Sequence, residues 1–193
     1  SNWCMPTPEI KNATRSATDF TKIMTLRMAI TDLSLELNET EEINHELITL
    51  ARNMTEQYPG PYADQSGYYI DFYRLSQLAY QYISDSNVRN AANYAMNTLT
   101  SVVTYRGDKA LPASRGLSIF FPHKSNYDYF NNVFRNPYLE TALAADTPWD
   151  EFLMYHMNLQ KNGCTLTVQT PYSDVSITFS EESFPTDADI IQI

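Results

Sequence analysis

The chain has 193 residues, of which 43% are hydrophobic and 19% are charged, a composition typical of a globular protein with a buried core. Its 23 acidic and 13 basic residues give a net charge of −10 at pH 7, which excludes nucleic acid and anionic lipid surfaces as favoured partners. No apolar run in the sequence has the length of a membrane-spanning helix.

Two amphipathic helices are predicted in the N-terminal third. From Asp19 to Leu37 the apolar residues recur at alternating spacings of three and four, which places them on one stripe of a helix. Asn38 followed by Glu41 resembles a capping box and predicts that a second helix begins there, ending before Pro59. The inward stripe of this second helix would be Ile43, Leu47, Leu50, Met54 and Tyr58.

Two more helices are predicted in the middle of the chain. The first covers Asp71 to Ile83, and Ser86 is expected to cap the next. The inward residues of the first are Phe72, Leu75, Leu78, Ala79 and Tyr82. The face of the second is Val88, Ala91, Ala92, Ala95, Met96, Leu99 and Val102. Its small side chains permit close approach of another helix, so the helices are expected to form a layer of antiparallel pairs.

The pattern changes to a period of two at Gly116 to Phe121, which predicts a strand covered on most of both sides. A short aromatic helix or turn is expected between Asn126 and Phe134. Thr147 and Pro148 have the residue types of a cap and a first helical position, and they predict a helix through about Leu159.

A hairpin is predicted at the C-terminal end, from two alternating runs at Cys164 to Thr170 and Val175 to Phe179. The acidic residues from Glu181 to Asp189 are expected on the surface or in a linker. The fold class is therefore mainly helical α+β, with a helical layer packed on a small sheet. Two regions are expected, a helical α+β region at 1–160 and a hairpin with an acidic tail at 161–193.

Cysteine and histidine residues are few. Cys4 and Cys164 are expected to be structural, as free thiols, as core residues or as a disulfide that closes a long loop. His45 and Glu46 begin like a zinc-peptidase helix motif, but Thr49 stands where the second histidine is needed, so His45 is expected to be a solvated helix residue. Neither His123 nor His156 falls in a recognisable catalytic spacing.

No catalytic, cofactor-binding or metal-binding residue is assigned from the sequence, and no cofactor is expected. Asp187 and Asp189 lack the glycine and distal glutamate of a calcium loop. A cluster of tyrosines is unusual and is interpreted as interface packing in preference to a ligand site. Its members are Tyr62, Tyr68, Tyr69, Tyr73, Tyr80 and Tyr82.

Three segments in order resemble the C-terminal part of the clostripain-like cysteine peptidases. Ser114 to Pro122, SRGLSIFFP, is similar to that family's Gly-Leu-Ser-Ile, aromatic, Phe-Pro signature. Ser16 to Ile23, SATDFTKI, resembles its Ser-Ala-hydrophobic-Asp-Leu helix start, and Trp149 to Tyr155, WDEFLMY, resembles its Trp-Asp-x-Phe-Leu-x-x-Tyr helix. The resemblance covers about residues 14 to 157.

The resemblance implies a cysteine endopeptidase, often secreted and often matured by proteolysis, that cuts mostly after basic residues. It also implies a caspase-like α/β domain whose His/Cys dyad lies N-terminal to these segments. Cys4 does not match the family's Asp-Ala-Cys motif, so the nucleophile is not assigned to it. The chain is therefore expected to be a noncatalytic, extracellular or cell-surface part of such a peptidase.

In this interpretation the chain supports the catalytic domain and helps to form the substrate cleft. Its partners would be the catalytic caspase-like domain or chain of the same protein, and a peptide or protein substrate. The alternative is a self-standing extracellular binding module that uses the tyrosine-rich surface. An unpaired strand edge or a large exposed apolar patch would favour the first hypothesis over the second. A hydrolase complete in these residues is the weakest hypothesis.

Overall fold

The computed structural model describes residues 15–58, 68–107, 114–127, 135–162, 164–169 and 174–179. Within them the protein is mainly helical α+β, which confirms the predicted fold class. The helices are α1 (Ile23–Asn53), α2 (Phe72–Tyr82), α3 (Ser86–Val102), α4 (Arg135–Leu139), α5 (Ala142–Asp146) and α6 (Trp149–Asn162). The strands are β1 (Arg15–Thr18), β2 (Gln57–Tyr58), β3 (Tyr69–Asp71), β4 (Val103–Gly107), β5 (Ser118–Phe120), β6 (Cys164–Gln169) and β7 (Asp174–Phe179).

Helix α1 is one continuous helix of 31 residues, so the prediction of two helices is wrong. Asn38 lies inside α1 and caps nothing. The buried stripe of the first half continues through Glu41 and His45, polar residues that a search for apolar periodicity does not follow. Ile43, predicted to face inward, is 88% exposed.

Helices α2 and α3 have the positions that the sequence predicts. Asp71 caps α2 by accepting a hydrogen bond from Arg74 N at 2.8 Å. The cap of α3 is Asp85, not Ser86, because the Asp85 carboxylate accepts hydrogen bonds from two amides of the first turn. Helix α3 packs against α1 and α2, and α6 packs against α1.

The strands form three small antiparallel sheets, with the orders β1-β4, β2-β3-β5 and β6-β7. Strand β5 and the β6-β7 hairpin confirm the predicted strand and hairpin. In the central sheet Ile119 of β5 lies opposite Ile70 of β3. The pairs β1-β4 and β2-β3 were not predicted, because strands of two to five residues are too short to show a clear alternation.

The core of the molecule is built around Phe121, which is fully buried directly after β5. Its ring lies 6.0 Å from that of Trp149 and 5.7 Å from that of Phe152, both edge to face. The Trp149 indole donates to the Phe120 carbonyl at 2.7 Å, and Arg52 Nε and Nη2 donate to the Phe121 carbonyl at 3.1 and 3.0 Å. The backbone that follows β5 is therefore fixed by side chains from α1 and α6.

The segment that leads into β5 is organised by the buried carboxylate of Asp71. Its Oδ2 accepts hydrogen bonds from Tyr58 OH at 2.8 Å and from Arg115 N at 2.7 Å. Ser114 Oγ hydrogen-bonds the same tyrosine hydroxyl and accepts from Gly116 N. Gly116 has a φ of 94°, in the region that favours glycine. The small residues of this segment are thus explained by backbone geometry and packing.

Several sequence predictions lie outside the described residues. They concern Cys4, Tyr62, the Pro59 turn, most of the aromatic segment ending at Phe134, and the acidic tail at 181–189.

Candidate functional site

An open strand edge is the first feature with functional potential. The amide of Phe72 donates to the Leu117 carbonyl and that of Phe121 to the Tyr68 carbonyl, so every second residue of the β5 segment points its backbone groups at β3. Ser118 lies between these positions, and its N–H and C=O therefore face the opposite edge. On that edge the Phe120 carbonyl accepts from the Trp149 indole, so the open part lies at Ser118. Among the described residues no strand pairs with β5 on that side.

An apolar groove with a volume of about 360 Å³ runs along this edge. It is lined mainly by side chains of α1, β5 and its preceding residue, and α5: Ile23, Met24, Ile30, Leu117, Ile119 and Leu143. On its rim, Arg27 Nη1 lies 3.4 Å from Asp146 Oδ2 and joins α1 to α5. The groove therefore combines an open backbone edge with an apolar wall.

The exposed side of α1 extends this apolar surface. Met24 is 60% exposed and Met28 is 57% exposed, one helical turn apart. Phe20, which precedes α1 by one turn, is 78% exposed. These three side chains are here called the α1 ridge. Met24 lines the groove, and Phe20 and Met28 lie about one turn to either side of it along the chain. Exposed large apolar side chains in a contiguous row are typical of surfaces that another protein covers.

A buried cluster of Glu41, His45 and His156 is the second feature. The prediction that His45 is solvated is wrong, because only 8% of the residue is exposed. Nδ1 of His45 lies 2.7 Å from Oε1 of Glu41, and Nδ1 of His156 lies 2.5 Å from the same oxygen. The two imidazole rings are 4.5 Å apart between centroids. Since α1 supplies two of these residues and α6 the third, the cluster joins the two helices.

The cluster is almost completely shielded from solvent. Glu41 is 0% exposed and His156 is 1% exposed. The rings of Phe121 and Phe152 lie 5.1 and 5.9 Å from that of His156. On its other side, Nε2 of His156 lies 3.4 Å from Oγ1 of Thr49. Thr49, whose identity breaks the zinc-peptidase motif, is therefore a neighbour of a histidine that is distant in sequence.

The cluster shifts the proton affinity of two of its members. Burial would raise the pKa of Glu41, but hydrogen bonds from His156 and His45 outweigh burial, and the pKa of Glu41 is lowered. Burial also lowers the pKa of His156, against the opposing effect of Glu41. Both groups therefore bind protons more weakly in the folded protein than in the unfolded chain.

We expect the free energy of unfolding to fall as the pH is lowered. Below about pH 6.5 the unfolded chain protonates His156 while the fold resists it, and below about pH 4.5 the same holds for Glu41. The slope contributed by His156 is at most about 1.4 kcal/mol per pH unit. Urea unfolding from about pH 7.5 to about pH 5, in EDTA, measures it.

His156→Gln should flatten this pH dependence. His123→Gln is the comparison variant. Burial lowers the pKa of His123 as well, so this change should flatten the pH dependence to a smaller extent, because that ring is only partly buried and lies outside the cluster. An equal flattening in both variants would contradict the assignment to His156.

The other histidine and the cysteine considered in the sequence, His123 and Cys164, are not placed in this cluster. His123 caps a 3₁₀ helix (Lys124–Asn126), where its Nδ1 accepts from Ser125 N at 3.3 Å. Of Cys164, only its place in β6 is described. Glu41 was missed as a site residue because its spacing from Asn38 resembles a capping box. The signal that identifies it is its position on the buried stripe, one turn before His45.

The tyrosines divide between core and surface. Tyr68 is buried, and Tyr69, 41% exposed, contacts Phe120 edge to face at 5.4 Å. The Tyr80 ring lies 4.6 Å below the guanidinium of Arg89. Each of these rings is packed on its own chain.

Comparison with known proteins gave no match to a family model, a curated protein or a solved structure. The likeness to the clostripain-like peptidases thus depends on the three sequence segments described above. No described helix is both long and apolar enough to cross a bilayer.

Proposed function

We propose that this chain is the noncatalytic C-terminal region of a clostripain-like cysteine endopeptidase. In this role it packs against the caspase-like catalytic domain through the groove and the α1 ridge. Cleavage after basic residues, a location outside the cell and a contribution to the substrate cleft are parts of the proposal taken from the resemblance.

The three resembling segments support the proposal because they belong to one structural unit. Phe121 of the first packs on Trp149 and Phe152 of the third. The second supplies β1, which pairs with β4, and Asp19, whose carboxylate accepts from Thr21 N before α1 begins. The first and third segments thus share one core, a relation that is harder to produce by chance than unrelated short matches.

The observation that carries the proposal is the open edge of β5 beside the α1 ridge. A backbone edge bordered by exposed apolar side chains is unfavourable in water and is stabilised when another chain covers it. A domain that contributes a strand, a loop or an apolar face would satisfy both features at once. The net charge of −10 is compatible with a peptidase that attracts basic peptides.

The alternative of a self-standing binding module has less support. It requires tyrosine side chains that are available to a ligand. Tyr69 and Tyr80 are 41% and 38% exposed, but each ring also contacts a side chain of the same chain, Phe120 and Arg89 respectively.

The proposal is tested on the gene and on the protein. The coding sequence upstream of residue 1 should contain a histidine and an Asp-Ala-Cys motif. The upstream polypeptide, produced with the chain, should be retained by it in a pull-down. The chain alone should not hydrolyse Arg- or Lys-containing fluorogenic peptides. Turnover by the chain alone that is abolished by Cys4→Ala, or an upstream sequence without these residues, would overturn the proposal.

Three variants locate the contact. Met24→Glu places a charge on the α1 ridge, and Ser118→Pro removes an amide of β5 that faces the open edge while leaving the β3 pairing intact. Each should weaken retention at least about tenfold, corresponding to about 1.4 kcal/mol. Ile43→Glu is the matched control, since Ile43 is exposed on α1 but does not line the groove. Equal weakening by all three would exclude this surface.

A further inference from the structure

We propose that Glu41, His45 and His156 bind one divalent transition-metal ion, with Zn²⁺ as the expected metal, and that the ion joins α1 to α6. The three residues are the group in the described part of the chain whose ligand atoms lie within 4.8 Å of one another. The site is independent of the docking surface, and its failure would leave the proposed function untouched.

The donor set has the chemistry of a zinc site. Two imidazole nitrogens and a carboxylate oxygen are ligands that Zn²⁺ takes at about 2.0–2.2 Å. Around a tetrahedral ion such atoms are about 3.3 Å apart, whereas here the two Nδ1 atoms lie 2.7 and 2.5 Å from Glu41 Oε1. Outward movement of each side chain by less than about 1 Å makes room for the ion.

The second carboxylate oxygen of Glu41 points independently to a ligand. Glu41 is 0% exposed, and its Oε2 accepts no hydrogen bond within the described structure. A buried carboxylate oxygen without a donor is costly, and a cation is the partner that removes the cost. Bidentate coordination by Glu41, together with the two histidines, supplies four ligand atoms from three residues.

Binding of the ion releases no net proton from the histidines, because each imidazole proton moves from Nδ1 to Nε2. In the metal-free cluster each histidine donates its Nδ1–H to Glu41. When Nδ1 binds the ion, that proton leaves Nδ1 and the neutral ring carries its proton on Nε2 instead. For His156 the acceptor is in place, since Thr49 Oγ1 lies 3.4 Å from Nε2. A hydrogen bond from the second ring nitrogen is typical of metal-bound histidine.

The ion has a route to the site beside His45. The side chain of His45 is 10% exposed, whereas those of Glu41 and His156 are 0% and 1% exposed. His45 also lies between two carboxylates of α1, Glu42 and Glu46, both exposed, which attract cations to this face. The arrangement fits an ion that is held after folding and exchanges slowly.

The test is metal binding by the full chain without an affinity tag, after treatment with EDTA. Zn²⁺ titration by calorimetry should give one site per chain, and Co²⁺ should give the visible absorption of a tetrahedral nitrogen and oxygen site. Zn²⁺ should also raise the thermal midpoint of unfolding. His156→Gln and Glu41→Gln should each raise Kd at least about 100-fold, and Thr49→Val about 10-fold.

Three controls keep the outcome decisive. His123→Gln and Glu140→Gln change the same residue types away from the cluster and should leave Kd unchanged. His45→Gln, at the most exposed ligand, should keep the fold by circular dichroism and lose the ion. Cys4→Ser with Cys164→Ser should still bind. Absence of binding at micromolar Zn²⁺, or binding that survives His45→Gln with His156→Gln, would overturn the proposal.

Discussion

Replacing Phe121 with alanine should lower the free energy of unfolding by about 3–5 kcal/mol. The side chain is 0% exposed and contacts the rings of Trp149, Phe152 and His156, so its removal leaves a cavity at the junction of β5 and α6. The carbonyl that accepts from Arg52 is part of the backbone and remains. Urea or thermal unfolding of the chain measures the loss.

Phe20→Ala is the matched control for this change. Phe20 is 78% exposed, and the same truncation there should alter the free energy of unfolding by no more than about 0.5 kcal/mol. Similar losses at the two positions would show that Phe121 is not the centre of the core.

Replacing Asp71 with alanine should cost about 3 kcal/mol. The carboxylate caps α2 through Arg74 N. It also accepts hydrogen bonds from Tyr58 OH at 2.8 Å and from Arg115 N at 2.7 Å. Loss of the cap contributes about 1 kcal/mol, and the two partly buried donors left without this acceptor contribute the remainder. Chemical denaturation is again the measurement.

Asp85→Ala separates the two contributions. Asp85 also caps a helix, with hydrogen bonds from Asn87 N and Val88 N at 2.8 and 3.1 Å, but it makes no comparable link to another segment. Its replacement should cost only about 1 kcal/mol. If the two variants lost the same stability, Asp71 would be acting as a cap alone.

Periodicity predicted those parts of the fold in which apolar residues alone mark the core. Helices α2 and α3 are of this kind, whereas α6 was predicted from its cap residues Thr147 and Pro148. Helix α1 was divided because Glu41 and His45 occupy core positions where apolar residues are expected. A polar residue on a buried stripe is stable only with a specific partner. That partner, His156, is 115 residues away from Glu41 and invisible to local patterns.

The two candidate sites depend on tertiary placement to different degrees. The segment that contains β5 is recognisable from its residues, but its open edge depends on β3 pairing on one side only. The cluster was missed for a more specific reason. Thr49 ended the search for a second histidine on α1, whereas α6 provides that histidine. The sequence feature that could have identified the cluster is the presence of a histidine on the buried face of each of two helices.

Because α1 is one continuous helix, it fixes the distances between positions along its length. At 1.5 Å per residue, its 31 residues span about 46 Å, and Met24 lies about 32 Å along the axis from His45. The described helix has no break between these points, so this separation is fixed by helix geometry. Paired spectroscopic labels on exposed positions near its two ends should report one constant distance. Displacements of α6 or β5 can then be measured against that reference when a partner or an ion is added.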